Sequence, residues 1–120
     1  MNSRLNASKL LGIAAASAAL LTLSAPAYAF DAAAAEAMAR QNGCFKCHTI
    51  DKKKEGKDGA PYHEIAAKYK GKPGAEARLY THITTGEKAK FPDGHEEDHK
   101  IIKSKDEKEI KNLISWVLSL

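Results

Sequence analysis

Residues 44 to 48 read Cys-Phe-Lys-Cys-His, and no other cysteine occurs in the 120-residue chain. This spacing brings two thiols to the two vinyl groups of one haem, with an imidazole directly after them. Each thiol can add across a vinyl to form a thioether. The turn between them then carries His48 under the iron as an axial ligand. A chain tethered in this way must fold around a rigid, flat, apolar group. Other uses of a Cys-x-x-Cys pair fit less well. A thioredoxin-like redox pair needs a βαβ setting, which the sequence lacks. A structural zinc needs a second pair of Cys or His ligands, and a disulfide across so short a loop would be unusual. Cys44 and Cys47 are the expected haem thioethers and His48 the expected proximal iron ligand.

The ends and the charge limit the rest. Arg4 and Lys9 precede an apolar run from Leu10 to Leu23, and Ala27-Tyr28-Ala29 forms an A-x-A cleavage site. The pattern predicts a secretory signal over residues 1–29. The run is shorter than the ~20 residues of a spanning helix, so no membrane anchor is expected after cleavage. Export also suits covalent haem attachment, which in bacteria takes place outside the cytoplasm. Removing 29 of 120 residues leaves 91, one small domain over residues 30–120. So short a chain has little area for a core, and a covalently held haem would supply the missing apolar surface. The whole chain carries 19 Lys and Arg against 15 Asp and Glu; without Arg4 and Lys9 the balance is 17 to 15, a net of +2. That balance, without interleaved aromatic and basic residues, gives no ground for nucleic-acid binding. Lysines 52–54, 57, 68, 70 and 72 read as a solvated loop and helix face, and secondarily as a patch for an acidic partner.

Four helical segments are predicted, and no strand. Asp31 is an N-cap for an Ala-rich helix reaching about Gln41, with Gly43 breaking it before the haem motif. Met38 on this helix reads as a core residue. Thr49 to Ala60 is a polar loop. Pro61 opens a second helix, where Tyr62, Ile65, Ala66 and Tyr69 fall on one face and Gly71 ends it. A third helix follows Pro73-Gly74, with Leu79 and Ile83 on one face, and stops at Gly86. Glu87 to Lys103 shows no helical period, and a stretch of that length in a small domain is functional or disordered. The last helix starts at Ser104 or Asp106, each with a Glu three residues on. It buries Ile110, Leu113, Ile114 and Val117, with Trp116 alongside.

In this order the segments resemble the class I c-type cytochromes of the small bacterial monohaem kind, over nearly all of the mature chain. The resemblance rests on Asn42-Gly43-Cys44 leading into the attachment motif, on Tyr62 to Gly71, on Gly74-Ala75-Glu76-Ala77 and on Leu113 to Ser119. It implies an all-α, cytochrome c-like fold of about four helices around one covalently attached haem c, with the first and last helices packed across each other. In the family a proline carbonyl accepts the proximal histidine N–H. Here the order is Gly59-Ala60-Pro61, so the acceptor for His48 would be the carbonyl of Ala60 or Pro61.

A second departure bears on function. The family's distal ligand is a methionine in the loop before the last helix, and this chain has no Met after Met38. The loop offers His95 and His99 instead. Counting back from the last helix points to His99, the preferred distal ligand, and counting on from Gly86 points to His95. Lys100 ranks third, because an ammonium must lose its proton before binding iron. His63 and His82, on helices, read as surface or packing residues away from this loop. Imidazole donates more strongly than thioether sulfur, so a bis-His iron would be low-spin, six-coordinate and of lowered potential. The expectation is a periplasmic one-electron carrier rather than an enzyme, monomeric, docking transiently on redox partner proteins through Lys46, Lys88 and Lys90. The alternative is a sensor or binder of NO, CO or O2, with an open or labile sixth position.

Overall fold

A computed structural model describes residues 29–120. The secretory signal expected over residues 1–29 lies, except for Ala29, outside the described residues. Helix α1 spans Ala32–Gln41, α2 Tyr62–Tyr69, α3 Ala75–Thr85 and α4 Glu107–Ser119. A short 3-10 turn, Cys44–Lys46, follows α1.

The helix ends obey local rules. The Asp31 side chain accepts from Ala34 N at 2.9 Å and caps α1. Asp106 caps α4 by accepting from Lys108 N at 2.8 Å. Glu109 does not reach back to Asp106; it accepts from the Ser104 hydroxyl at 2.7 Å, and that hydroxyl accepts from Asp106 N at 3.1 Å. Ser104 and Asp106 thus divide the capping work that the sequence offers to either.

The core lies between α1 and α4. Ala35, Met38 and Ala39 of α1 bury against Ile110, Leu113, Ile114, Trp116 and Val117 of α4, and Tyr62 of α2 and Ile102 complete the cluster. The small α1 residues let the two helices approach closely. Two amides fasten the pair. Asn112 accepts from Asp31 N at 2.8 Å and donates to Asp31 O at 2.9 Å, fixing the start of α1 on α4. Asn42, itself buried, donates to Met38 O at 2.8 Å and accepts from Lys103 N at 2.7 Å. It ties the end of α1 to the segment entering α4.

The expectation of no strand is corrected. Within Glu87 to Lys103, β1 (Lys88–Lys90) and β2 (Glu96–Asp98) form an antiparallel hairpin in the register Lys88↔Asp98, Ala89↔Glu97 and Lys90↔Glu96. Its turn is Pro92-Asp93-Gly94. Gly94 has φ +92°, and Asp93 Oδ1 accepts from His95 N at 3.0 Å. Pro-Asp-Gly is a turn signature with a mechanism, and strands of three residues are too short to show a period.

Candidate haem site

The attachment turn is built by its backbone. Gly43 adopts φ +69°, which reverses the chain after α1. Lys46 N then donates to Gly43 O, and Cys47 N and His48 N both donate to Cys44 O, at 3.0–3.2 Å. Cys44 is half-buried and Cys47 exposed. Burial pushes the Cys44 thiol up, with Tyr62 offsetting part of the rise. A buried thiol so shifted is not the low-pKa thiolate of a redox-active pair.

His48 is held on two sides. Its Nδ1 donates to Ala60 O at 2.6 Å, so of the two candidate carbonyls Ala60's is the acceptor. With Nδ1 carrying the proton, Nε2 keeps the lone pair that can bind a metal. Gly59 makes this approach possible: a Cβ there would lie 2.6 Å from His48 Cε1 and 2.9 Å from Cys47 O. Tyr62 stacks on the ring with centroids 5.3 Å apart, and Trp116 meets Tyr62 edge-on at 5.7 Å. The α2–α4 core thus reaches the His48 imidazole directly. Burial lowers the pKa of His48, and the Ala60 carbonyl partly offsets this.

Opposite His48 lies His99, with ring centroids 6.3 Å apart and planes at 49°. The segment carrying it is tied at three points. His99 N donates to Glu87 O at 3.0 Å, just beyond α3, Ile102 N donates to Ile83 O at 2.9 Å in the last turn of α3, and Lys103 N is held by Asn42. Burial, then the nearby His82 and His48 rings, push His99 down to about 4, with the Lys100 backbone acting weakly in the other direction. The ring is therefore neutral at pH 7, as a metal ligand must be.

His95 sits elsewhere, exposed at the hairpin turn. It stacks on Phe91 with centroids 4.3 Å apart, pairs with Asp93, and lies 3.3 Å from Glu97. His95 belongs to the hairpin turn, and His99 to the segment that follows β2. Lys100 Nζ lies against Gly43, 3.4 Å from where a Cβ would stand. His63 pairs with Asp51 at 2.9 Å on the surface. His82 corrects the sequence reading. It is not remote from the loop: its ring centroid lies 4.0 Å from that of His99. On the exposed hairpin Lys88 Nζ pairs with Asp98 at 2.7 Å, and Lys90 stands opposite Glu96 in the register.

The residues fit a haem on two counts. An iron held by two imidazoles, with metal–nitrogen bonds of about 2 Å and each ring centre about 1 Å further back, separates the ring centres by roughly 6 Å. The observed 6.3 Å matches. Second, burial and the neighbouring rings keep the His99 imidazole neutral, the form that can bind a metal.

Comparison with known proteins agrees. The family model for cytochrome c matches residues 32–120. Cytochrome c-551 of Pseudomonas aeruginosa is 32% identical over 90 residues, covering 70% of this chain and 74% of that protein. The crystal structure of the class 1 cytochrome MtoD from Sideroxydans lithotrophicus ES-1 matches with a TM-score of 0.69 at 56% identity, covering 76% of this chain and 97% of that one. The chain belongs to the cytochrome c family, as a class I c-type cytochrome. It carries one covalently attached haem c, to which the Cys44-x-x-Cys47-His48 motif corresponds, and serves as a monohaem electron carrier that hands electrons to partner proteins. Among the described residues no helix is long and apolar enough to cross a membrane.

Proposed function

We propose that this cytochrome is a bis-histidine, low-potential, one-electron carrier of the periplasm, with His48 and His99 as its axial ligands. One observation carries the reading: a neutral, half-buried His99 ring faces His48 at 6.3 Å, and no methionine follows Met38. Met38 itself is packed in the α1–α4 core. The haem supplies one redox-active iron; the chain anchors it, supplies its ligands and sets its potential. Cys44 and Cys47 are the covalent tethers. Ala60 orients His48 through Nδ1, which also raises the basicity of the ligating nitrogen. Two imidazoles stabilise the ferric state more than a thioether does, which places the potential below that of a methionine-ligated variant. The secretory signal with its site after Ala29 supports export. Lys46 and Lys100 converge near Gly43, beside the attachment turn. They would steer an acidic partner to the haem edge. A small, transient interface suits a carrier that must leave after each transfer.

Absorption spectra of the purified holoprotein test the ligand set. The wild type should be low-spin in both redox states, lack the methionine–iron charge-transfer band and bind CO slowly. His99→Ala should give a high-spin ferrous haem that takes CO at once. His99→Met should raise the potential, and His95→Ala should change neither. A wild type that is high-spin when reduced, or a spectrum that responds to His95→Ala and not to His99→Ala, overturns the reading.

A further inference from the structure

The distal side holds a polar chain that ligation alone does not require. Arg78 and His82 lie four residues apart on one face of α3. Gly86, at φ +69°, turns the chain at the helix end and brings Glu87 back onto that face. Glu87 Oε1 accepts from Arg78 at 2.5 Å and from His82 Nδ1 at 2.7 Å. The Arg78 guanidinium, then His82, holds the Glu87 carboxyl below the usual carboxylate range. His82 is thus fixed at one edge, and its ring packs on His99 at 4.0 Å with planes at 40°. The carbonyl of the same Glu87 accepts from His99 N at 3.0 Å. Glu87 grips His99 twice, at the backbone directly and at the ring through His82.

We propose that His82 and Glu87 are positioning residues that fix the rotation of the His99 ring about its axial bond. This rests on the reading of His99 as the distal ligand. The physical need is clear from the ring itself. His99 Nδ1 has no hydrogen-bond partner, so the usual device for orienting a ligating imidazole is missing. An anchored ring packed against its face takes that place. What is set is the angle between the two ligand planes, 49° between His48 and His99. This angle governs the splitting of the iron d orbitals, and so the g anisotropy of the ferric haem. The same packing slows the outward swing of His99 that any external ligand must await.

The test is electron paramagnetic resonance of the ferric holoprotein, with CO-binding rates of the ferrous form. In His82→Ala the haem should stay low-spin, its g anisotropy should change, and CO should bind roughly tenfold faster, on the scale of a lost ring–ring contact. Glu87→Ala keeps the backbone grip and should show the same changes to a smaller degree. Glu87→Gln, whose amide oxygen can still accept from His82, should restore the wild-type g values. His82→Phe keeps a flat ring without its anchor and guards against a simple folding failure; its g values should differ from wild type while its stability does not. Unchanged g values and CO rates in both His82→Ala and His82→Phe overturn the positioning role while leaving the ligand assignment intact. A high-spin His82→Ala beside an unaltered His99→Ala overturns both, and makes His82 the ligand.

Discussion

Gly59→Ala is the sharpest probe of how His48 is held. The backbone there is not at positive φ, so alanine can adopt it without strain. The cost is one of space. The new methyl carbon would lie 2.6 Å from His48 Cε1, 2.7 Å from Nδ1 and 2.9 Å from Cys47 O. Two of these atoms belong to a ring pinned by Ala60 and Tyr62, and the third is backbone of the attachment turn, so none yields cheaply. Overpacking of this kind costs about 1–3 kcal/mol. If the ring tilts away, the 2.6 Å bond from Nδ1 to Ala60 O goes too, a further loss of about 0.5–1.5 kcal/mol. The sum, about 1.5–4.5 kcal/mol, lowers Tm by roughly 6–36 °C in a domain of this size.

The assay is thermal unfolding of the ferric holoprotein followed by far-ultraviolet circular dichroism and by the Soret band. Gly71→Ala is the control. Gly71 sits at φ +74° with nothing within 4 Å of a Cβ, so its cost is backbone strain of roughly 1–2 kcal/mol. It should lower Tm modestly and leave the haem spectrum alone, whereas Gly59→Ala should alter both. A Gly59→Ala protein with wild-type Tm and an unshifted Soret band would refute the claim that close approach of the backbone holds His48.

Three further outcomes are expected. Asn42→Ala removes the acceptor for Lys103 N and one tie to Met38 O; urea unfolding should show a loss of about 1–3 kcal/mol, because Lys103 N–H loses its bond in a partly buried place. Asp106→Ala removes the α4 cap and should cost about 1 kcal/mol by the same assay. His95 should titrate, by proton NMR, above the ordinary ~6.5, because Asp93 and then Glu97 favour the imidazolium. Its pairing is complete below the unfolded pKa and fades as pH rises through the raised folded value. Asp93→Asn should bring the midpoint back down; an Asp93→Asn midpoint equal to wild type would remove Asp93 as the cause.

The parts of this fold legible in the sequence are those governed by local rules. Asp31, Gly43, Pro61, Gly71, Gly86 and Asp106 each mark a helix boundary for a reason internal to a few residues, and each stands where expected. Cys44, Cys47 and His48 are fixed by a turn of five residues. The hairpin is hidden in the sequence although Pro92-Asp93-Gly94 announces its turn, because three-residue strands are too short to show a period. What pairs those strands is partly charge across the ladder, Lys88 with Asp98 and Lys90 opposite Glu96, a pattern visible only once a register is assumed.

His82 was missed for a different reason, and it says most about how such a site is made. On its helix it is an isolated polar residue with nothing to distinguish it from His63. Its role comes from two long-range events: the Gly86 turn that returns Glu87 to its side, and the tie of Ile102 N to Ile83 O that lays His99 against it. Neither event involves a residue type peculiar to haem proteins. On the proposed ligand set, the proximal ligand His48 is thus specified by contiguous sequence, and its surroundings need only leave room, as Gly59 does. The face we propose as distal is specified by tertiary contacts, with Asn42, Ile83, Glu87 and His82 each contributing one constraint to the segment or ring of His99. Substitutions at these four positions should therefore change the iron's distal side without touching the attachment motif. That is where a carrier of this kind can be retuned while its fold and its tether stay the same.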